Sequence, residues 1–267
     1  MKNYWPLNWK KILLGLIVAG GVGFGLYLSG LDTLPQASFP LFDSVSAPVA
    51  TDRILVVSPH QDDEVLGAGD YIQRAVAAGA KVEVVFATDG NKHGQKAIRH
   101  DEALAADKVL GLASNQLIFF DFPDSKLSDQ DQYDKFVTRL TAEIKTFKPT
   151  VVITTLVEDE HPDHAACGRA VKTLATRDLS FQALYFLIHS DRYPRPIGDK
   201  PEKNLLPPLK LVNEYNWRVF TPTESEQDQK RTAINSYRSQ MTLTNPILRQ
   251  LLQSFDRRNE LFAQTIL

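Results

Sequence analysis

The chain has 267 residues, with 30 lysines and arginines against 32 aspartates and glutamates, and a formal net charge of −2. This balance, without a basic stripe, lacks the pattern typical of nucleic-acid binding, so we expect no nucleic-acid partner. Cys167 is the single cysteine, which excludes an intrachain disulfide and a cysteine-rich metal site.

The N-terminal segment predicts a membrane anchor. Residues 12–31 form a run of 20 residues without a charge, about the length that crosses a bilayer. Lys2, Lys10 and Lys11 precede this run, so the positive-inside rule predicts a cytoplasmic N-terminus. The alternative is a cleaved signal peptide, although the run exceeds the usual apolar length of such peptides. We therefore expect a short cytoplasmic segment over 1–11, one transmembrane helix over 12–31, and a periplasmic or otherwise extracytoplasmic domain.

A linker and a single domain follow the predicted anchor. Residues 32–52 contain Pro35, Pro40 and Pro48, which is typical of a tether. Residues 53–267 are long enough for one α/β domain with a sizeable core.

From residue 53 onward, strand-like runs alternate with segments that repeat apolar residues at helical spacing. This alternation predicts βαβ units in a Rossmann-like, doubly wound, mainly parallel α/β sheet of order 3-2-1-4-5, with helices on both faces. The expected strands are 53–58, 81–87, 116–120, 150–155 and 183–188, and the expected helices are 65–79, 97–111, 131–147 and 164–176.

An acidic cluster follows the first predicted strand, in the segment Ser58-Pro59-His60-Gln61-Asp62-Asp63-Glu64. His60 and Asp63 can point at one metal ion, because imidazole and carboxylate suit zinc and its neighbours. Asp62 is then free to act as a base on a bound water. A dinucleotide site is disfavoured, because the acidic residues would repel a pyrophosphate.

A second cluster, His161-Pro162-Asp163-His164, follows the fourth predicted strand. In the order 3-2-1-4-5, strands one and four are neighbours at the topological switch point, so both clusters are expected at one pocket. One imidazole can complete a His-Asp-His metal site, and the other can donate a hydrogen bond to an oxyanion, oriented by Asp163. The spacing alone leaves open which histidine binds the metal. Surface loop residues or helix caps are the alternative for an isolated motif of this kind.

Together these motifs resemble the signature of the LmbE/PIG-L superfamily of zinc-dependent de-N-acetylases. Residues 58–69 are similar to the family's His-Pro-Asp-Asp-Glu motif and Gly-rich helix start, with Gln61 where the family usually has proline. Residues 161–164 match the second motif without change, and the resemblance spans about residues 53 to 241. It implies one zinc ion, or another divalent metal, held by His60, Asp63 and His164, with Asp62 as general base. It also implies that His161, paired with Asp163, stabilises the tetrahedral intermediate or protonates the leaving amine.

The resemblance further implies a metal-dependent amidase that removes the acetyl group of an N-acetylglucosamine-type substrate. With an anchor, that substrate is expected to be a glycan or glycolipid near the membrane. The alternative function is a membrane-tethered glycan- or lipid-binding protein without turnover, which would be expected to lack a ligand or the base. Arg99 matches a family position that often helps to hold substrate; its alternative is a surface ion pair with Glu102. The proline-containing segment 190–222 is predicted either to wall the pocket or to be a surface loop.

Overall fold

A central sheet organises the chain. The computed structural model describes residues 12–13, 15–21, 23, 34–177, 181–191, 193–242 and 245–266. The strands are β1 (Asp43–Ser44), β2 (Arg53–Ser58), β3 (Lys81–Thr88), β4 (Leu117–Phe122), β5 (Val151–Thr155), β6 (Gln182–Phe186), β7 (Tyr215–Phe220) and β8 (Glu260–Thr265). The α-helices are α1 (Asp63–Ala77), α2 (Lys96–Val109), α3 (Gln130–Phe147), α4 (Pro162–Ala175), α5 (Glu224–Ile234) and α6 (Pro246–Gln253).

The sheet is mixed, which corrects the predicted fold class. Its order is β1-β7-β8-β6-β5-β2-β3-β4, and β8 runs antiparallel to both β6 and β7. The five strands β4-β3-β2-β5-β6 are parallel to one another. The expectation of a mainly parallel sheet ending at the fifth strand was wrong, because β7 and β8 extend it beyond β6. They cover backbone groups that would otherwise form an open edge on a buried strand.

Right-handed crossovers decide which helices share a face of the sheet. The chain passes from β2 through β3 to β4 in one direction, which puts α1 and α2 on one face. It then returns across β2 to β5 and β6, which puts α3 and α4 on the other face. Helix α5 packs against α1 and α2. Covered on both faces, β2 and β5 are buried almost throughout, as their near-continuous β-branched sequences require.

The start of α1 lies unusually close to the sheet. A Cβ atom at Gly67 would collide with the ring of Phe186 on β6. Glycine therefore allows the helix to begin directly over the ends of the central strands, where the acidic cluster lies.

The predicted N-terminal anchor and the location derived from it need correction. Within the described part of the chain, no helix combines the length and the apolarity needed to cross a membrane. The prediction for 12–31 rested on the absence of charge over 20 residues, whereas the described helical residues of this range, 12–13, 15–21 and 23, are fewer than a membrane crossing needs. Residues 14, 22 and 24–31 of that range lie outside the described residues. Part of the predicted linker packs on the domain, since β1 pairs with β7.

A buried ion network joins α1, α5 and β8. Lys230 Nζ lies 2.7 Å from Glu260 Oε1 and 3.7 Å from Asp70 Oδ2. The Glu260 carboxylate also accepts the backbone N–H groups of Asp70 and Tyr71 at 2.8 and 2.9 Å. Burial alone would lower the pKa of Lys230, but Glu260 and Asp70 raise it above its usual value. The lysine is therefore a charged member of the core.

Substituting Lys230→Met should lower the free energy of unfolding by about 3–5 kcal/mol, because it leaves buried carboxylates without their cation. Urea denaturation at neutral pH measures the effect. The matched control is Lys135→Met, whose ion pair with Asp131 is exposed; a change within about 0.5 kcal/mol is expected there. Equal effects of the two substitutions would contradict the role given to the network.

Candidate functional site

The two predicted clusters meet at one edge of the sheet. Strands β2 and β5 are adjacent and parallel, with Val57 opposite Thr154. Their carboxyl ends therefore lie side by side, and the chain leaves them into α1 and α4 on opposite faces. This is the switch point of the parallel strands, where a crevice opens.

Three ligand atoms converge in this crevice. His60 Nδ1 lies 3.1 Å from His164 Nε2 and 3.3 Å from Asp63 Oδ2, and His164 Nε2 lies 3.1 Å from Asp63 Oδ2. Ligands at about 2.0–2.1 Å from a tetrahedral zinc ion are about 3.3 Å apart, so the separations fit one such ion. All three side chains are buried. Burial would raise the pKa of Asp63, but His164 and His60 hold it well below its usual value.

Two further carboxylates orient the histidine rings. Asp159 Oδ2 lies 3.3 Å from His164 Nδ1, and Asp163 Oδ2 lies 3.1 Å from His60 Nε2. Each ring thus has one nitrogen facing the three-ligand cluster and the other facing a carboxylate. Metal-binding histidines commonly have such a partner, which fixes the ring and its tautomer.

The predicted pairing of His161 with the Asp163 carboxylate is corrected by this arrangement. The Asp163 oxygens accept the backbone N–H groups of Ser125 and Leu127 at 2.7 and 2.9 Å, besides contacting His60. His161 is instead the N-cap of α4, and its Nδ1 accepts the backbone N–H of Asp163 at 3.3 Å. The physical reason is that the loop after β4 supplies two N–H donors, which turn the carboxylate away from His161.

This hydrogen bond assigns the proton of His161. Because Nδ1 accepts, the neutral ring carries its hydrogen on Nε2. Burial, reinforced by His60 and His164, lowers the pKa of His161 to about 4. A neutral ring near pH 7 can donate from Nε2 to an oxygen in the cavity, which His161 lines.

Asp62 is a buried carboxylate in a strained backbone conformation. Its φ of 148° is one that residues with a side chain rarely adopt, and such strain concentrates at functional sites. Asp62 Oδ1 lies 3.1 Å from Arg99 Nη2. Burial raises the pKa of Asp62 to about 6, although Arg99 opposes the shift. Asp62 is therefore ionised at neutral pH, yet more basic than an exposed aspartate.

Glu64 holds the loop that carries Asp62. Its buried carboxylate accepts the Ser58 hydroxyl at 3.0 Å, the Asp62 backbone N–H at 3.2 Å and the Tyr237 hydroxyl. Burial raises the pKa of Glu64 to about 8, although the Tyr237 hydrogen bond opposes the shift. Glu64 thus connects the end of β2, the base and the segment after α5.

Arg99 does not form the surface pair considered as its alternative. Its Nη2 donates to the Gln61 carbonyl at 2.6 Å and lies beside Asp62. The Glu102 carboxylate instead accepts the backbone N–H and the hydroxyl of Ser239, both at 2.7 Å. Arg99 lines the cavity, and the prediction that it holds substrate is untested by these contacts.

Sequence reasoning missed several residues of the site. His189 follows β6, and its ring centroid lies 4.8 Å from that of His164 and 5.6 Å from that of His161. It comes directly after a predicted strand, so the same strand-end argument could have found it. Asp124 follows β4 and lies 3.5 Å from His60 Nε2. Asp159, in the loop after β5, gave no comparable signal, because acidic loop residues are common.

These groups open into a cavity of about 190 Å³. Its lining residues include His60, Asp62, Asp63, Arg99, His161 and His189. None of the described residues of 190–222 lines it, and that segment instead contributes β7 to the sheet.

Residues 55–175 match the family model described as PIG-L, GlcNAc-PI de-N-acetylase. The chain contains a PIG-L/LmbE family domain. This PIG-L/LmbE domain includes both clusters and Arg99. The match comprises the parallel strands from β2 to β5 and the helices between them, with α4.

Two curated relatives and one solved structure extend the comparison. The probable N-acetyl-alpha-D-glucosaminyl L-malate deacetylase 2 of Bacillus cereus is 31% identical over 138 residues, which are 47% of this chain and 61% of that protein. The protein of the same name from Bacillus subtilis is 26% identical over 226 residues, 79% of this chain and 92% of its own. A zinc-inhibited form of teicoplanin deacetylase has a TM-score of 0.61 at 21% identity, covering 80% of this chain and 98% of its own. This structural likeness shows the fold. Both curated relatives are named deacetylases, in agreement with the enzyme class predicted for the PIG-L/LmbE domain.

Gln61 occupies the position at which the family usually has proline. Its side chain is fully buried, and its Nε2 donates to the Thr88 carbonyl at the end of β3 at 2.8 Å. Its Oε1 lies against Gly90, which has a φ of +59°. Gln61 therefore ties the loop of the first cluster to the neighbouring strand.

We expect Gly90→Ala to lower the free energy of unfolding by roughly 2 kcal/mol, because it adds a Cβ atom that meets Gln61 Oε1 at a positive φ. In the double variant Gln61→Ala/Gly90→Ala the collision is absent. The double variant should thus be more stable than the sum of the single effects predicts, as a double-mutant cycle of denaturation curves would show. Additive effects would contradict the contact.

Proposed function

We propose that this chain is a metal-dependent hydrolase that removes the acetyl group from an N-acetylated amino sugar. The observation that supports this proposal most directly is the cluster of three ligands, His60, Asp63 and His164, which lies beside the Asp62 carboxylate at one cavity. The deacetylase names of the relatives support the reaction, and the PIG-L/LmbE domain contains all four residues.

His60, Asp63 and His164 would hold the ion. When bound, a zinc ion would polarise the amide carbonyl and lower the pKa of a water molecule towards about 7. Asp159 and Asp163 keep the two histidine rings in the orientation that this donor set needs.

The remaining chemistry belongs to side chains of the cavity. Asp62 takes the proton of the attacking water, and Arg99 fixes the position of its carboxylate. His161 donates its Nε2 hydrogen to the oxyanion that develops from the amide carbonyl. As the bond between carbonyl carbon and nitrogen breaks, the leaving amine takes up the proton that Asp62 received. The products are acetate and a free amino sugar.

The substrate class is broader than the one predicted from the sequence. The expectation of a glycolipid or envelope glycan depended on the anchor, so the proposal extends only to N-acetylated amino sugars. Both curated relatives are named for an N-acetylglucosaminyl substrate. The binding-only alternative predicted a missing ligand or base, and each of those positions is filled here.

Acetate release from methyl N-acetylglucosaminide by the purified chain tests the proposal. Chelation should abolish the release, and one equivalent of zinc, cobalt or manganese should restore it. We specify one equivalent of metal rather than an excess, because the structurally similar teicoplanin deacetylase has a zinc-inhibited form. Activity that survives complete removal of the metal would exclude the metal mechanism. No acetate from any N-acetylated amino sugar would exclude the function.

A further inference from the structure

The cavity has two chemically different sides. One is polar and comes from the connection between β3 and α2, with Lys92, His93 and Gln95. The other is aliphatic. The polar residues follow β3 and Ile188 of the aliphatic side follows β6, and these two strands lie on opposite sides of the β2–β5 pair. The aliphatic side, which we name the leucine wall, consists of Leu66 on α1, Ile188 after β6, and Leu248, Leu251 and Leu252 on α6.

Helix α6 presents part of this wall to the cavity. Leu248 and Leu251 are three residues apart and share a face of the helix. Leu252 is 2% exposed and anchors the helix in the core, whereas Ile247 is 79% exposed and lies outside the cavity. Leu248 and Leu251 remain partly exposed. Aliphatic side chains neither donate nor accept hydrogen bonds, so sugar hydroxyl groups would lose their partners against them.

We propose that the leucine wall is a subsite for an apolar aglycone, an alkyl or aryl group on the anomeric carbon of the amino sugar. This inference rests on the proposed deacetylase function. The acetyl group extends only one carbon beyond the carbonyl that must reach Asp62, and Leu66 lies one helical turn after Asp62. Leu248 and Leu251 are thus available to the other end of the substrate. The subsite is continuous with the reaction centre, because both line the same cavity.

Rates for a series of alkyl N-acetylglucosaminides test the subsite. Complete burial of a methylene group is worth about fourfold in binding, and a half-open wall should give roughly twofold per methylene in kcat/KM. The butyl glycoside should therefore react roughly eightfold faster than the methyl glycoside at low substrate concentration. Lengthening the N-acyl chain of the methyl glycoside should give no gain.

Two variants on α6 test whether the gain in kcat/KM with alkyl chain length arises at the leucine wall. In Leu248→Gln/Leu251→Gln the ratio of butyl to methyl kcat/KM should fall to about one. Ile247→Gln, on the same helix but outside the cavity, should keep the wild-type ratio. If the double variant fails to fold, inhibition of the wild-type protein by alkyl glucosides that lack an N-acyl group gives the same information. Their inhibition constants should fall with chain length.

Three results would overturn the subsite: equal rates along the glycoside series, a gain from longer N-acyl chains, or a preference for an anionic malate glycoside. A methyl glycoside that is deacetylated without any gain on lengthening leaves the proposed function intact. Absence of acetate from every glycoside would instead remove the function on which the subsite rests.

Discussion

Asp62→Asn should lower the rate of acetate release by about 10²–10⁴-fold and leave the metal content unchanged. An amide cannot take the proton of the attacking water, but it keeps the size of the carboxylate. Asparagine also tolerates positive φ better than most residues, so the strained backbone at this position should persist. Steady-state kinetics together with elemental analysis of the same preparation measures both quantities.

Asp121→Asn is the matched control. Asp121 lies at the end of β4, also has a positive φ of 60°, and pairs with Lys96 and His100 rather than lining the cavity. We expect its rate to stay within about twofold of wild type, as for most surface substitutions. If Asp62→Asn kept more than a tenth of the wild-type rate, Asp62 would not be the base.

The two histidines of the second cluster should separate metal binding from turnover. His164→Ala removes one of three ligands, so the bound metal should fall far below one ion per chain and activity should be lost. His161→Ala should retain the metal, while kcat falls by about 10²–10³-fold because an oxyanion donor is lost. Metal content and kcat of both variants, measured side by side, test the assignment.

This comparison is needed because a ring nitrogen of His161 also lies within 4.8 Å of ring nitrogens of His60 and His164. His100→Ala is the control, since His100 stacks on Phe119 at 4.0 Å between ring centroids and does not line the cavity. It should keep both metal and activity. A reversed pattern, with metal lost from His161→Ala, would exchange the roles of the two histidines.

The meeting of the two clusters could be predicted from sequence because it depends on few facts. It requires that 53–58 and 150–155 are neighbouring parallel strands, and β-branched runs between helical segments indicate this. Once the strands pair, their carboxyl ends coincide, and His60 comes within 3.1 Å of His164. Local pattern and one topological rule are sufficient here.

The direction of the Asp163 carboxylate could not be predicted in the same way. It depends on two backbone N–H groups in the loop after β4, 38 and 36 residues away in sequence, and loop positions have no periodic pattern.

The antiparallel strands β7 and β8 were not predicted, for another reason. β7 lies in the proline-containing segment 190–222, whose prolines obscured it, and β8 follows a short helix without a crossover signal. The anchor was predicted from a count of uncharged residues alone, and the described part of the chain contains no helix that is long and apolar enough to cross a membrane.

The pairing of β2 with β5 also has a consequence for how the protein folds. His60 and His164 are 104 residues apart in sequence, and β2 and β5 pair across the intervening elements α1, β3, α2, β4 and α3. Contacts of such long range form late and slow the folding of a chain. A partly folded chain in which β2 and β5 have not yet paired therefore has no complete set of metal ligands, and the ion stabilises only states in which they have paired. Metal binding should then prolong the lifetime of the native state by slowing its unfolding, with little effect on the rate of folding.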